Sequence, residues 1–71
     1  MSARFVVRIR VTLWTDKMFV LTYLWRRTDG RFVLLNKKGV PEGTPRVAAN
    51  FAALIRDIHQ DVPDLKDVTV L

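Results

Sequence analysis

Apolar residues alternate with other residues along the first half of the chain, with the period of two that is typical of β-strands. Two alternating runs are separated by Thr15-Asp16, and the second run ends shortly before Asp29-Gly30, the kind of dipeptide that tight hairpin turns prefer. The pattern predicts three strands at about residues 4–14, 17–27 and 31–36. Two hairpins would join them into an antiparallel meander.

A loop rich in Gly and Pro follows, and then apolar residues recur at helical spacing. Thr44 can cap a helix, and Pro45 can occupy its first position, where no N–H is needed. The apolar stripe of this helix consists of Val47, Phe51, Leu54, Ile55 and Ile58. Pro63 disfavours helical backbone at the residue before it, so the pattern predicts a helix at about residues 45–60. A short strand at about 67–71 should follow.

These elements predict a single small α+β domain over residues 1–71, with the order β-β-β-α-β. The connection from the third strand through the helix should bring the last strand beside the first and parallel to it, in the strand order 3-2-1-4. One helix can cover only one face of such a sheet. The other face would stay uncovered.

Two-residue turns at both hairpins would place the aliphatic side chains on the helix side of the sheet. That predicted core consists of Phe5, Val7, Ile9, Val11, Leu13, Met18, Val20, Leu24, Val33 and Leu35. The uncovered face would then be an interaction face of large apolar residues, namely Phe19, Leu21, Tyr23, Trp25, Phe32 and Leu34. A basic rim would surround it, made of Arg4, Arg8, Arg10, Lys17 and Arg27.

An alternative register stays open at Thr15-Asp16. Side chains alternate between the faces, so a slip of one residue at this turn would exchange the faces of one strand relative to the next. The first strand keeps its inward apolar positions in either register.

Charge and composition narrow the class of protein. The net charge is +5, and residues 1–31 account for all of it, which favours contacts with polyanions or acidic proteins. The absence of Cys and the single His59 argue against a metal site, a cofactor or nucleophilic catalysis. No run is apolar enough for a signal peptide or a membrane span, so a cytoplasmic location is expected.

The sequence therefore predicts a non-enzymatic binding module with no small-molecule substrate. Aromatic residues and Arg are enriched at the centres of protein interfaces, so self-association as a dimer, or docking to a protein partner, comes first. Single-stranded nucleic acid is the alternative, because aromatic residues can stack on bases while Arg binds phosphates. A small inhibitor of a larger macromolecular machine is a further alternative.

Overall fold

The structure is a computed structural model that describes residues 4–71. Its elements in chain order are β1 Arg4–Leu13, β2 Met18–Arg26, β3 Arg31–Leu34, β4 Val47–Ala48, α1 Phe51–Asp61 and β5 Leu65–Val70. The strands form one antiparallel sheet in the order β4-β3-β2-β1-β5, and α1 packs on one side of it. This confirms the α+β class, with one strand more than predicted.

The additional strand β4 explains the direction of the last strand. Leu34 donates its N–H to the carbonyl oxygen of Arg46 at 2.8 Å, where the chain returns along β3. The chain therefore reverses once more before the helix than predicted. As a result β5 lies beside β1, as expected, but runs antiparallel to it, and the predicted parallel pairing is wrong.

The helix begins later than predicted because Asn50, and not Thr44, is its N-cap. The Asn50 side chain accepts a hydrogen bond from the N–H of Ala53 at 2.8 Å, which satisfies one of the free N–H groups of the first turn. Val47 fits the helical stripe by its spacing, but it lies in β4. The predicted end is close to the observed one, since Val62 before Pro63 is extended at φ −115°.

The β1–β2 turn has three residues and not two. Asp16 donates its N–H to the carbonyl oxygen of Leu13, and its φ of 67° lies in the left-handed region. This is the three-residue hairpin loop in which a type I turn is followed by one left-handed residue. The pairing of Val11 with Phe19 and of Ile9 with Leu21 follows from this loop. The predicted register is therefore wrong by one residue.

The β2–β3 turn is longer than predicted, but it keeps the predicted faces. Four residues, 27–30, connect the strands, and Gly30 at φ 66° takes the left-handed position. Two added residues preserve the alternation of side chains, so Trp25 pairs with Phe32 on one face. The error in the faces therefore comes from the first turn alone.

Apolar side chains from all five strands and the helix meet on the helix side of the sheet. The buried core residues are Ile9, Val11, Leu21, Tyr23, Phe32, Leu34, Ala48, Leu54, Ile58 and Val62. The inward face predicted for β1 is confirmed. In β2 and β3 the predicted faces are exchanged, so Met18, Val20, Leu24 and Val33 lie on the opposite side.

Candidate interaction surface

The six residues predicted to form the interaction face lie on the helix side of the sheet. Leu21, Tyr23, Phe32 and Leu34 are buried, while Phe19 and Trp25 are half-buried and pack against the core. The prediction that they lie on the uncovered face is wrong because of the three-residue turn.

Tyr23 shows how completely this side is enclosed. Its side chain is fully buried, and its hydroxyl donates a hydrogen bond to the carbonyl oxygen of Pro45 at 2.6 Å. Burial raises the pKa of the Tyr23 hydroxyl well above its ordinary value. The group therefore serves as a neutral hydrogen-bond donor within the fold.

The opposite side, here called the uncovered face, is defined by the even-numbered positions of β1 and β2 and their neighbours in the sheet. Its positions are Val6, Arg8, Arg10, Thr12, Met18, Val20, Thr22, Leu24, Arg26, Arg31, Val33, Val47, Asp67 and Thr69. None of these described side chains is buried. Within residues 4–71 the single helix lies on the other side.

A continuous aliphatic row crosses four strands of the uncovered face. Val47 pairs with Val33, Val33 with Leu24, and Leu24 with Val6. The row is exposed to solvent at its two ends, where Val47 is 50% exposed and Val6 is 62% exposed. Neighbouring side chains in such a row are in contact across the strands, so together they form an apolar strip.

Two arginines stand beside this strip in the centre of the sheet. Arg8 pairs with Thr22 of β2, and Arg10 lies between Val20 of β2 and Thr69 of β5. In the part of the chain that the structure describes, neither arginine forms an ion pair. The acidic residue of the face is Asp67, which pairs with Thr12. The face is therefore aliphatic and cationic.

The predicted basic rim is only partly assembled. Arg8 and Arg10 lie on the uncovered face, while Arg27 is exposed in the β2–β3 turn and Lys17 is exposed directly after the β1–β2 turn. Arg4 begins β1, and its side chain lies outside the part of the chain that the structure describes. Among the described side chains of the predicted basic rim, Arg8 and Arg10 are therefore the two that share one face of the sheet.

Four apolar members of the uncovered face were predicted to lie in the core, namely Met18, Val20, Leu24 and Val33. Val20, Leu24 and Val33 are as apolar as the true core residues, so composition alone does not separate the two faces. The signal available in the sequence was the turn itself. A loop of three residues, Trp14, Thr15 and Asp16, fits the sequence as well as a two-residue turn at Thr15-Asp16.

Arginines also cluster at the β2–β3 turn. Asp29 forms an ion pair with Arg26 and accepts the N–H of Arg31 at 3.1 Å. The backbone hydrogen bond from Arg31, followed by the contact with Arg26, lowers the pKa of Asp29. This arrangement orders the turn and leaves Arg27 exposed at its tip.

A second surface feature lies on the helix side, at the end of the sheet that α1 does not reach. The helix has 11 residues and is therefore about 16 Å long, and its first residue, Phe51, contacts Phe32. Beyond that contact Phe5 and Trp25 pack against each other, with ring centroids 5.4 Å apart. They line an open apolar pocket of about 250 Å³ together with Val7 and Phe32.

Among the described residues, no group of three or more His, Asp or Glu side chains could hold a metal ion. The same part of the chain has no helix with the length and apolarity that crossing a membrane requires. Comparison with protein-family models, curated proteins and solved structures found no significant match. The two surfaces described above are therefore the candidate sites of this protein.

Proposed function

We propose that this protein is a non-enzymatic binding module that docks a protein partner through the uncovered face of its sheet. The observation that supports this most directly is the aliphatic row Val47–Val33–Leu24–Val6, which no other part of the described chain covers. Contiguous apolar patches on small proteins commonly mark interaction sites.

The partner surface should combine apolar side chains with carboxylates. Arg8 and Arg10 lie next to the aliphatic row, and residues 1–31 have a net charge of +5. Burying these guanidinium groups against an apolar surface without acidic partners would be costly. Carboxylates on the partner would pair with them and fix its orientation.

A second copy of the chain fits the face less well than an acidic partner does. Two stacked uncovered faces would bring Arg8 and Arg10 of both copies together, and Asp67 is the acidic residue of each face. Like charges brought together in an interface cost several kcal/mol. Self-association therefore takes second place.

The nucleic-acid alternative has less support than the sequence suggested. Phe19, Tyr23, Trp25 and Phe32 lie on the helix side, so the uncovered face has no aromatic platform on which bases could stack. Its remaining support comes from the arginines. These bind acidic proteins as readily as phosphates.

The test compares wild type with Val20→Glu and Arg10→Glu, which change the uncovered face, and with Arg56→Glu on the exposed surface of the helix. We expect cross-linking in host lysate to give a partner that is retained by wild type and Arg56→Glu. Both sheet variants should lose it. Equal capture by all four proteins would contradict the proposal.

Light scattering at low and high salt, with and without a short single-stranded oligonucleotide, separates the alternatives. We expect a monomer that does not retain the oligonucleotide. If wild type formed a dimer and Val20→Glu dissociated it, the uncovered face would serve self-association and the proposal would be wrong. Oligonucleotide binding that falls steeply with salt would replace it by nucleic-acid binding, since phosphate contacts release counterions.

A further inference from the structure

The first half of β1 has a free hydrogen-bonding edge. Along this strand β5 pairs with positions 9–13, and the N–H of Leu71 reaches the carbonyl oxygen of Arg8 at 2.9 Å. Toward the start of β1, no described residue pairs on that side of positions 4–7. The opposite side of the same segment is fully paired with β2.

The alternation of the antiparallel ladder shows which backbone groups are free. Trp14 donates its N–H to the carbonyl oxygen of Asp64, and Arg8 accepts from Leu71, so even-numbered residues of this segment direct their backbone groups toward the β5 side. Val6 follows the same alternation. Its N–H and its carbonyl oxygen therefore point outward, with no strand of the described chain beside them.

The apolar pocket begins at this same edge. Phe5 and Val7, the odd-numbered neighbours of Val6, line it on the helix side, and Trp25 and Phe32 continue it across β2 and β3. Phe5 is 63% exposed. The volume of about 250 Å³ is below the roughly 300–1,000 Å³ of pockets that hold drug-sized ligands, so it suits one or two side chains.

We propose that an extended peptide binds here as an added strand along the first half of β1, with apolar and acidic side chains alternating along it. Main-chain hydrogen bonds to Val6 would hold the peptide, as in other cases of β-strand addition. Its side chains opposite Phe5 and Val7 enter the pocket. The alternate side chains fall on the uncovered face beside Val6 and Arg8, where the guanidinium group of Arg8 favours carboxylates.

The charge of the edge excludes a second copy as the best occupant. If two β1 edges paired about a two-fold axis centred on Val6, Arg4 of each copy would face Arg8 of the other. Like charges directly opposite each other destabilise a strand pair. An acidic peptide has the opposite preference. The edge site adjoins the uncovered face at Val6 and Arg8, but it depends on the free edge and the pocket and not on the docking function proposed for that face.

The binding test uses a fluorescein-labelled peptide, Leu-Glu-Leu-Glu-Leu, and measures anisotropy against the full chain. We expect saturable binding that is lost for Leu-Lys-Leu-Lys-Leu and for the acidic peptide N-methylated at both glutamates, whose N–H groups face β1 when the strand adds antiparallel. Equal binding of the acidic and basic peptides, or no binding of the acidic one, would overturn the proposal.

Two variants locate the site. Val6→Pro removes only the outward N–H, a change that edge strands tolerate, and loss of that hydrogen bond together with crowding at the edge should weaken binding about tenfold or more. Phe5→Glu puts a charge beside the pocket at an exposed position and should weaken it similarly. It gives an independent result if Val6→Pro does not fold.

Val70→Pro is the matched control, because it removes an outward N–H from the free edge of β5 at a position that is 52% exposed. It should bind the acidic peptide like wild type. Wild-type affinity of Val6→Pro and Phe5→Glu, or an equal loss in Val70→Pro, would overturn the assignment. So would a concentration-dependent dimer that Val6→Pro dissociates.

Discussion

At the scale of single residues, Tyr23 connects the sheet to the segment that leads into β4. Its ring is fully buried, and its hydroxyl donates to the carbonyl oxygen of Pro45. Removal of the hydroxyl leaves that oxygen without its partner. Tyr23 is also the only tyrosine of the chain, so its ionisation can be followed without interference from another phenol.

We expect Tyr23→Phe to lower the free energy of unfolding by about 1–2 kcal/mol, the usual cost of leaving a buried hydrogen-bonding group unpaired. Urea denaturation near neutral pH measures this change. Thr28→Ala, at an exposed position of the β2–β3 turn, is the control and should change stability little. Unaltered stability of Tyr23→Phe would show that the bond to Pro45 contributes nothing.

The pH dependence of the same variant tests the burial of Tyr23. Its pKa is raised by burial, so above about pH 10 the unfolded chain loses the phenol proton while the folded chain keeps it. The unfolded state then binds fewer protons, and stability falls as pH rises, by up to about 1.4 kcal/mol per pH unit. This part of the decline should be missing in Tyr23→Phe. Tyrosinate absorbance appearing in folded protein near pH 10 would contradict it.

At the scale of elements, the loop formed by Trp14, Thr15 and Asp16 decides which side chains face the helix. Its three residues require one left-handed position, and Asp16 fills it at φ 67°. Asp accepts this conformation more readily than most residues, and β-branched residues accept it poorly. The composition of the uncovered face therefore depends on the geometry of one turn.

Asp16→Val should lower the free energy of unfolding by about 1–2 kcal/mol, because a β-branched residue is strained in the left-handed region. Asp16→Gly is the matched control and should be at least as stable as wild type, since Gly adopts positive φ without strain. Chemical denaturation of both variants checks this. Similar stability of the two would argue against the three-residue loop, and with it against the register of β1 and β2.

The sequence was sufficient for elements whose signals are local and redundant. The first strand has five inward apolar positions in succession, the Gly30 turn has a strong local signal, and Pro63 sets the end of the helix. Its start was less determined, because Thr44 and Asn50 are both acceptable caps. Val47 continues the helical stripe by spacing, and only its pairing with Val33 shows that it belongs to a strand.

The candidate surface was harder to predict than the elements, for a physical reason. In β2 the odd positions hold Phe19, Leu21, Tyr23 and Trp25, while the even positions hold Met18, Val20 and Leu24 together with Thr22 and Arg26. The odd set is the more apolar, but a two-residue first turn would place the even set beside the inward side chains of β1, so the buried face depends on the length of that turn. The predicted arginines Arg8 and Arg10 were placed correctly, because polar residues alternate with apolar ones in β1.

At the scale of the whole molecule, one short helix stabilises a sheet that is much longer than the helix. The long axis of the protein is 42 Å and the other two are 19 and 18 Å. The elongated shape leaves one face and one end of the sheet exposed. It also means that the buried core is small, since the most enclosed residues lie between the helix and the middle of β1 and β2.

This concentration of the core predicts that stability is unusually sensitive to Leu54. A 71-residue domain is typically stable by about 4–10 kcal/mol at roughly 0.05–0.15 kcal/mol per residue. Leu54 is fully buried, and truncation of such a residue to Ala costs about 2–5 kcal/mol. Leu54→Ala should therefore lose a large share of the total and unfold at markedly lower temperature, as circular dichroism can measure.

Arg56→Ala is the control on the same helix, because its side chain is 67% exposed. It should melt close to wild type, since exposed substitutions by a good helix former change stability by only about 0.5 kcal/mol. The comparison isolates the contact between helix and sheet from helix propensity. If Leu54→Ala melted like Arg56→Ala, the helix would not cover the face that contains Tyr23, and the assignment of the other face as uncovered would fail with it.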